Sequence, residues 1–115
     1  MNKLRAAFKE GGSTTAGNSS QVTDGAAAVL LVKRSVAKSL GLPILAKVVG
    51  YAVAGVPPEI MGIGPAFAIP AVLKKAGLSI SDIDIFEINE AFASQAVYCA
   101  EKLSIDPKKI NPKGG

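Results

Sequence analysis

The sequence predicts an α/β fold in which helices cover a mainly parallel sheet. The chain has 115 residues, of which 49% are hydrophobic and 19% charged, so it has enough apolar surface for a core but no more than one domain's worth of chain. Apolar runs of strand length alternate with segments of helical spacing, in the order strand, helix, strand, helix, strand, helix. Because right-handed crossovers place helices on the faces of a parallel sheet, we expect a layered arrangement.

Three apolar runs predict the strands. Residues 25–32 (GAAAVLLV) form a short continuous run, which favours a strand buried on both faces. Residues 44–54 are rich in β-branched and apolar side chains and predict a second strand. The isoleucines and the phenylalanine of residues 83–88 predict the third.

Capping residues and prolines delimit the first two helices. The first is predicted from an N-cap at Ser35 to Leu40, with Gly41 as the residue that ends it. The second covers residues 65–76, with a proline in first position and a glycine directly after it. A proline inside a helix costs about 3 kcal/mol. Pro70 therefore indicates either a helix that begins near it or a kink.

A third helix is predicted over residues 90–103, and the segments around it read as turns and loops. Its apolar stripe is Phe92, Ala96, Cys99 and Leu103, spaced four, three and four. Residues 55–64 and 79–82 are predicted as a loop and a turn, and Pro107 as the end of the ordered pattern. Residues 11–20 (GGSTTAGNSS) are either a flexible linker or, as we favour, a loop packed against a ligand.

Composition excludes several classes of site and segment. The chain has no histidine and a single cysteine, which excludes His-based catalysis, His-ligated metals and a disulfide framework. The longest uncharged run, residues 60–73, is shorter than the ~20 residues that span a bilayer, and the first residues lack the apolar core of a secretory signal. The net charge of +4 is the sole argument for a nucleic-acid-binding protein, and a solvated basic surface explains this charge better.

Few side chains are candidates for chemistry on residue type alone. Asn89 follows the third predicted strand, where it either caps the next helix or faces outward to hold a water or a carbonyl oxygen. Glu90 would then occupy the first helical position, where its negative charge interacts favourably with the helix dipole. Cys99 lies mid-helix on the apolar stripe and is predicted as a core residue rather than a nucleophile. The MGIGP run lacks the third glycine of a dinucleotide fingerprint, which favours a loop of close backbone approach.

Three segments carry more information together than singly: TAGNSSQVTDGAAAVLL at 15–31, GVPPEIMGIGPA at 55–66 and FEINEAFASQAVYCAEKL at 86–103, followed by INPKGG. Together they resemble the thiolase family, most of all the peroxisomal type of 3-ketoacyl-CoA thiolase. The resemblance implies part of a layered αβαβα fold. Residues 1–42 would end its N-terminal half, and residues 43–115 would begin its C-terminal half.

The resemblance also implies a reaction and its partners. Thiolases, or acetyl-CoA C-acyltransferases, cleave a 3-ketoacyl-CoA with free coenzyme A (CoA) in fatty-acid β-oxidation, through an acylated cysteine. The expected partners are CoA and acyl-CoA as substrates, with no further cofactor and no metal, and a second copy of the full-length protein in a homodimer. The expected location is the peroxisome, with the targeting segment outside this chain.

Site residues carry over from the family motifs position by position. Asn89 resembles the asparagine that holds a water in an oxyanion hole, which favours the functional interpretation over the cap. Ser20 resembles the serine that meets the pantetheine arm of CoA, and Ala16 and Ser19 line the same path. Met61 and Phe92 resemble residues beside the acyl and pantetheine pocket, with plain core packing as the alternative.

The departures from the family pattern are as informative as the matches. The chain lacks the histidine of the GHP motif and the cysteine of the CxG motif, and Cys99 does not match the nucleophile. We therefore expect the reactive groups to belong to polypeptide outside these 115 residues, and the isolated chain to be inactive. The alternative is a non-catalytic module that binds CoA or pairs with a full-length subunit.

Overall fold

Three α-helices and four 3-10 turns make up the regular structure of residues 3–115. The computed structural model describes residues 3–115, so the first two residues of the predicted unit 1–42 lie outside it. The helices are α1 (Arg34–Ser39), α2 (Pro65–Ala76) and α3 (Ala93–Lys102). The 3-10 turns are Ala16–Asn18, Pro58–Ile63, Ile80–Asp82 and Pro107–Lys109. Helices α2 and α3 pack against each other and against the turn Pro58–Ile63.

Helix α2 has the bounds that the sequence predicts. Pro65 occupies the first turn, and Gly77 ends the helix in the left-handed conformation with φ of 70°. The α-helix is continuous across Pro70, so a start near that residue is wrong. Because proline has no N–H, the carbonyl of Ala66 receives no helical hydrogen bond from position 70.

Helices α1 and α3 begin at different residues from those predicted. Lys33, not Ser35, is the N-cap of α1, whereas Gly41 follows the helix with φ of 64° as expected. Helix α3 begins at Ala93, three residues after the predicted start. The reason is that a bridge between Ser19 and Phe92 holds the preceding segment outside the helix.

The three predicted strands are wrong as regular strands. Within residues 3–115 the backbone pairs only through isolated bridges, and residues 25–32 and 44–54 carry no regular secondary structure. Their apolar side chains are exposed, as in Leu45 at 95% and Val53 at 87%. A strand is stabilised by its ladder to a neighbour, and no described segment forms a β-bridge with either of these two.

The third predicted strand forms one element of the core. Phe86 and Ile88 are buried, whereas Ile85 and Glu87 are exposed, which is the alternation of a strand. Phe86 forms a parallel bridge with Ile110, so α3 connects two parallel segments. Phe86, Ile88 and Ile105 form the centre of the hydrophobic cluster. The predicted parallel pairing with a helical crossover is therefore present at this one place.

The tail after Pro107 is ordered, contrary to the prediction. The backbone N–H of Phe86 donates to the carbonyl of Lys109 at 2.8 Å, and that of Asn111 donates to the carbonyl of Phe86 at 2.9 Å. Lys109 Nζ donates to the carbonyl of Ile83 at 2.5 Å, so this lysine is not a solvated charge. The tail is the partner that residues 83–88 need for pairing.

The described chain is far more open than an independent domain of its mass. Its accessible surface is 9486 Å², against roughly 5,900 Å² for a folded monomer of 11.7 kDa. Its radius of gyration is 17.8 Å, against roughly 13 Å for a compact domain of this length. None of the helices in residues 3–115 has the length and apolar character that crossing a membrane requires.

Candidate functional site

Residues 13–20 form a structured loop rather than a flexible linker. Thr15 Oγ1 accepts a hydrogen bond from the N–H of Gly17 at 3.2 Å, and Asn18 Oδ1 accepts one from the N–H of Thr15 at 2.8 Å. Asn18 Nδ2 also donates to the carbonyl of Ser13 at 2.9 Å. These bonds fix the turn Ala16–Asn18 and support the packed-loop interpretation.

The loop docks on the segment that leads into α3. The N–H of Ser20 donates to the carbonyl of Ala91 at 2.9 Å, and Ser19 forms an antiparallel bridge with Phe92. Ser19 Oγ donates to the carbonyl of Thr15 at 2.7 Å, which ties the bridge back to the turn. The two candidate serines are thereby held beside the residues that follow Asn89.

Asn89 faces solvent and does not cap a helix. Helix α3 begins at Ala93, so the alternative interpretation of Asn89 as an N-cap is wrong. Asn89 is exposed, and within the described part of the chain its side chain makes no hydrogen bond. Glu90 is not in the first turn either; its Oε1 accepts a hydrogen bond from Asn111 Nδ2 at 2.7 Å. The predicted dipole role of Glu90 is therefore wrong.

Met61 and Phe92 line one groove of about 780 Å³. Met61 is 75% exposed on one wall, and the ring of Phe92 packs edge-on against Phe8 with centroids 5.5 Å apart. Phe92 is only partly buried, so it is a wall of the groove rather than a core residue. The other residues that line the groove are Thr14, Pro58, Glu59, Ile60, Gly62, Ile63, Ser94, Gln95 and Tyr98.

Gln95 ties the two sides of this groove together. Its Oε1 accepts from the N–H of Phe92 at 3.1 Å, and its Nε2 donates to the carbonyl of Gly62 at 3.3 Å. A Cβ on Gly62 would lie 3.0 Å from Gln95 Cγ. Gly62, in the MGIGP run, thus allows the backbone to lie close to the Gln95 side chain, and the sequence predicts such a close approach for the glycines of this run.

Some of the predicted site residues are brought together and others are not. Ser19 and Ser20 meet the segment that contains Ala91 and Phe92, and Met61 shares the groove with Phe92. Asn89 and Ser20 lie outside the groove lining, and so does Ala16, which is exposed at the start of its turn.

Sequence reasoning missed Gln95 and Asn111. Gln95 could have been found from its position three residues after a helix N-cap, where glutamine bonds back to the chain. Asn111 carries no local signal, because its partners lie more than twenty residues earlier in the chain.

Cys99 is a core residue, as the sequence predicts. It is fully buried, and burial raises the pKa of its thiol above the ordinary value, with a smaller opposing effect from a backbone hydrogen bond to Ala66. A buried neutral thiol is a poor nucleophile. Among residues 3–115, no three His, Cys, Asp or Glu side chains cluster closely enough to hold a metal ion.

Two family models match the chain. The thiolase C-terminal domain matches residues 42–115, and the thiolase N-terminal domain matches residues 1–35. The chain is 74% identical to 3-ketoacyl-CoA thiolase B, peroxisomal, of Mus musculus and 71% identical to the human 3-ketoacyl-CoA thiolase, peroxisomal, each over 113 residues. Each match covers 98% of this chain and 27% of the relative, so the chain spans about a quarter of their length.

Solved structures agree in fold over nearly the whole chain. The dimeric peroxisomal thiolase of Saccharomyces cerevisiae matches with a TM-score of 0.95 at 61% identity, covering 99% of this chain and 29% of that one. The human mitochondrial 3-ketoacyl-CoA thiolase in complex with CoA matches with a TM-score of 0.95 at 48% identity, with the same two coverages. A second structure of the yeast enzyme, a five-layered α-β-α-β-α structure, matches with a TM-score of 0.70 over 71% of this chain and 24% of that one.

Proposed function

Because the chain belongs to the thiolase family and has its fold, we propose that it forms part of a peroxisomal 3-ketoacyl-CoA thiolase. Such an enzyme transfers an acyl group to CoA through an acyl-cysteine. The observation that carries this proposal is the exposed side chain of Asn89, which makes no hydrogen bond within residues 3–115 and lies two residues before Ala91, where the loop of Ser20 docks. The proposed homodimer and peroxisomal location rest on the dimeric yeast structure and on the names of the relatives.

Asn89 is proposed to hold a water molecule in an oxyanion hole. Attack on a thioester places negative charge on the carbonyl oxygen, and donors fixed in advance stabilise that charge. The Asn89 amide has donors and an acceptor that no group in residues 3–115 occupies, so it is able to bind a water and orient it. No proton transfer by Asn89 is required.

The groove and the docked loop are proposed to receive coenzyme A. Met61 and Phe92 present apolar surface suited to the acyl and pantetheine chains, and Ser20 lies at the edge of the segment that carries Phe92. Ala16 and Ser19 would line the same path. CoA is then a substrate, and the chemistry needs no further cofactor.

The nucleophile and the base of this reaction are not among the 115 residues. The chain has no histidine, and its one cysteine is fully buried. The proposed role of this chain is therefore to bind the substrate and stabilise charge, while the acylated cysteine and its histidine come from other polypeptide. The same absence favours the second candidate function, a module that binds CoA or a full-length subunit without catalysis.

The test is made in a hybrid thiolase, defined as the full-length yeast peroxisomal enzyme with its matching segment replaced by this chain. We expect the hybrid to cleave acetoacetyl-CoA with CoA, and Asn89→Ala to lower kcat by about 100- to 1,000-fold. Glu101→Gln, on the exposed face of α3, is the control. A hybrid that folds and lacks turnover, or an Asn89→Ala variant with full kcat, would contradict the catalytic proposal.

The isolated chain separates the two candidate functions. We expect it to give no thiolytic turnover with acetoacetyl-CoA and CoA, since it lacks both reactive groups. Calorimetric titration with CoA then measures binding alone. Turnover comparable to the hybrid would refute the assignment of the reactive groups to other polypeptide. Binding by the isolated chain, together with an inactive hybrid, would favour the non-catalytic module.

A further inference from the structure

Asn111 clamps the two residues that flank Asn89. Its Oδ1 accepts from the N–H of Ile88 at 2.7 Å, and its Nδ2 donates to the carbonyl of Ile88 at 2.8 Å. The same Nδ2 donates to Glu90 Oε1 at 2.7 Å. From these contacts we infer that Asn111 is a positioning residue, which fixes the direction of the Asn89 side chain. The inference deepens the proposed acyl-transfer function and rests on it.

The clamp determines direction because neighbouring side chains in an extended segment point to opposite faces. Ile88 is buried at 6% exposure, and its neighbour Asn89 is exposed. The Asn111 amide bonds both backbone polar groups of Ile88, as a neighbouring strand would. Rotation of this segment, which would turn Asn89 inward, requires all three side-chain bonds to break.

Asn111 is itself held in place and has no polar group left for another role. Its N–H donates to the carbonyl of Phe86 and its carbonyl accepts from the N–H of Gly114, both at 2.9 Å. The residue is 8% exposed and adopts φ of 45°, a left-handed conformation that asparagine tolerates better than most side chains. A buried amide with every donor and acceptor paired is rigid.

Two variants in the hybrid thiolase isolate the side-chain bonds from the backbone conformation. Asn111→Gly keeps the left-handed backbone and removes the amide. Asn111→Asp keeps an oxygen that accepts from the N–H of Ile88, but it places a carboxylate next to the carboxylate of Glu90. Adding Glu90→Gln removes that repulsion and supplies an amide N–H that donates to the new carboxylate. We expect Asn111→Gly to lower kcat by about 100-fold, as a misplacement near 1 Å does, with KM for CoA unchanged. We expect Asn111→Asp to lower kcat and Glu90→Gln to recover part of it.

A double mutant distinguishes positioning from a structural role. If Asn111 acts through Asn89, Asn89→Ala with Asn111→Gly has the same kcat as Asn89→Ala alone. Additive losses of kcat would overturn the inference. So would a loss of kcat that follows lowered thermal stability and is not recovered when Glu90→Gln is added to Asn111→Asp.

A control and a second outcome keep the inference separate from the proposed function. Ser104→Ala tests a left-handed residue whose backbone N–H bonds Glu101 rather than residues 88–90, and we expect it to leave kcat unchanged. Full activity of Asn111→Gly beside an impaired Asn89→Ala would overturn the inference alone. Full activity of Asn89→Ala would overturn the proposed function as well.

Discussion

The contact between Gly62 and Gln95 determines how closely the groove loop approaches α3. A Cβ at position 62 would lie 3.0 Å from Gln95 Cγ and 3.2 Å from its Cβ. We expect Gly62→Ala to lower the free energy of unfolding of the hybrid thiolase by about 1 kcal/mol, because overpacking strains the neighbours. Chemical denaturation measures it. In the Gln95→Ala background the same change should cost less, and an equal cost in both backgrounds would contradict this explanation.

Cys99 gives a prediction in pH. Burial raises the pKa of its thiol in the folded state, so the folded state favours the protonated form. Its contribution to stability is complete below the pKa of the unfolded thiol and is lost as the pH rises through the folded pKa. We therefore expect iodoacetamide to label native hybrid at Cys99 far more slowly than denatured protein, even at pH 9. Mass spectrometry of the peptide that contains Cys99 checks this; equal labelling rates would contradict the burial.

At the scale of single residues, the sequence predicts a role only where the local sequence around a residue forms a recognisable pattern. Asn89, Ser20 and Met61 lie in motifs, and Cys99 lies on a helical stripe. The bond from Gln95 to Gly62 and the role of Asn111 could not be predicted, because the backbone groups that they bind lie 33 and 23 residues away. Such contacts follow from how the elements pack and leave no pattern in the local sequence.

The end of a helix depends mainly on the conformation of one or two residues, so a single substitution can test it. Gly77 ends α2 with φ of 70°, where a Cβ is strained although no atom lies within 4 Å. We expect Gly77→Ala to lower the free energy of unfolding of the hybrid by about 1 kcal/mol. Gly77→Asn is the matched control and should cost less, since asparagine tolerates this conformation. Equal stability of the alanine variant and the parent, measured by thermal unfolding, would contradict the prediction.

Elements were predictable where their cause is local. Helix α2 has a proline at one end and a glycine at the other, and its bounds match. The start of α3 was misplaced because a bridge from the distant Ser19 overrides the local pattern. Residues 25–32 and 44–54 have strand composition, but pairing depends on a neighbouring segment, and within residues 3–115 none pairs with them. Composition alone does not supply that neighbour.

The whole molecule exposes an apolar surface that a stable monomer rarely tolerates. Val29, Leu45 and Val53 are each more than three-quarters exposed, and the total surface exceeds the expected value by roughly 3,600 Å². We expect the isolated chain to self-associate, to bind a hydrophobic dye and to lack a cooperative heat transition. Analytical ultracentrifugation and calorimetry measure this against the hybrid thiolase. A monodisperse monomer with a sharp calorimetric transition would contradict it.

The parallel bridge between Phe86 and Ile110 also bears on the order in which the chain gains structure during synthesis. The bonds that close this unit span only 23 to 25 residues, and its partners leave the ribosome within seconds of each other. Residues 25–32 and 44–54 emerge earlier and have no strand partner in the described chain. We therefore expect the later part of the nascent polypeptide to condense first, while the earlier part depends on chaperones to stay unaggregated.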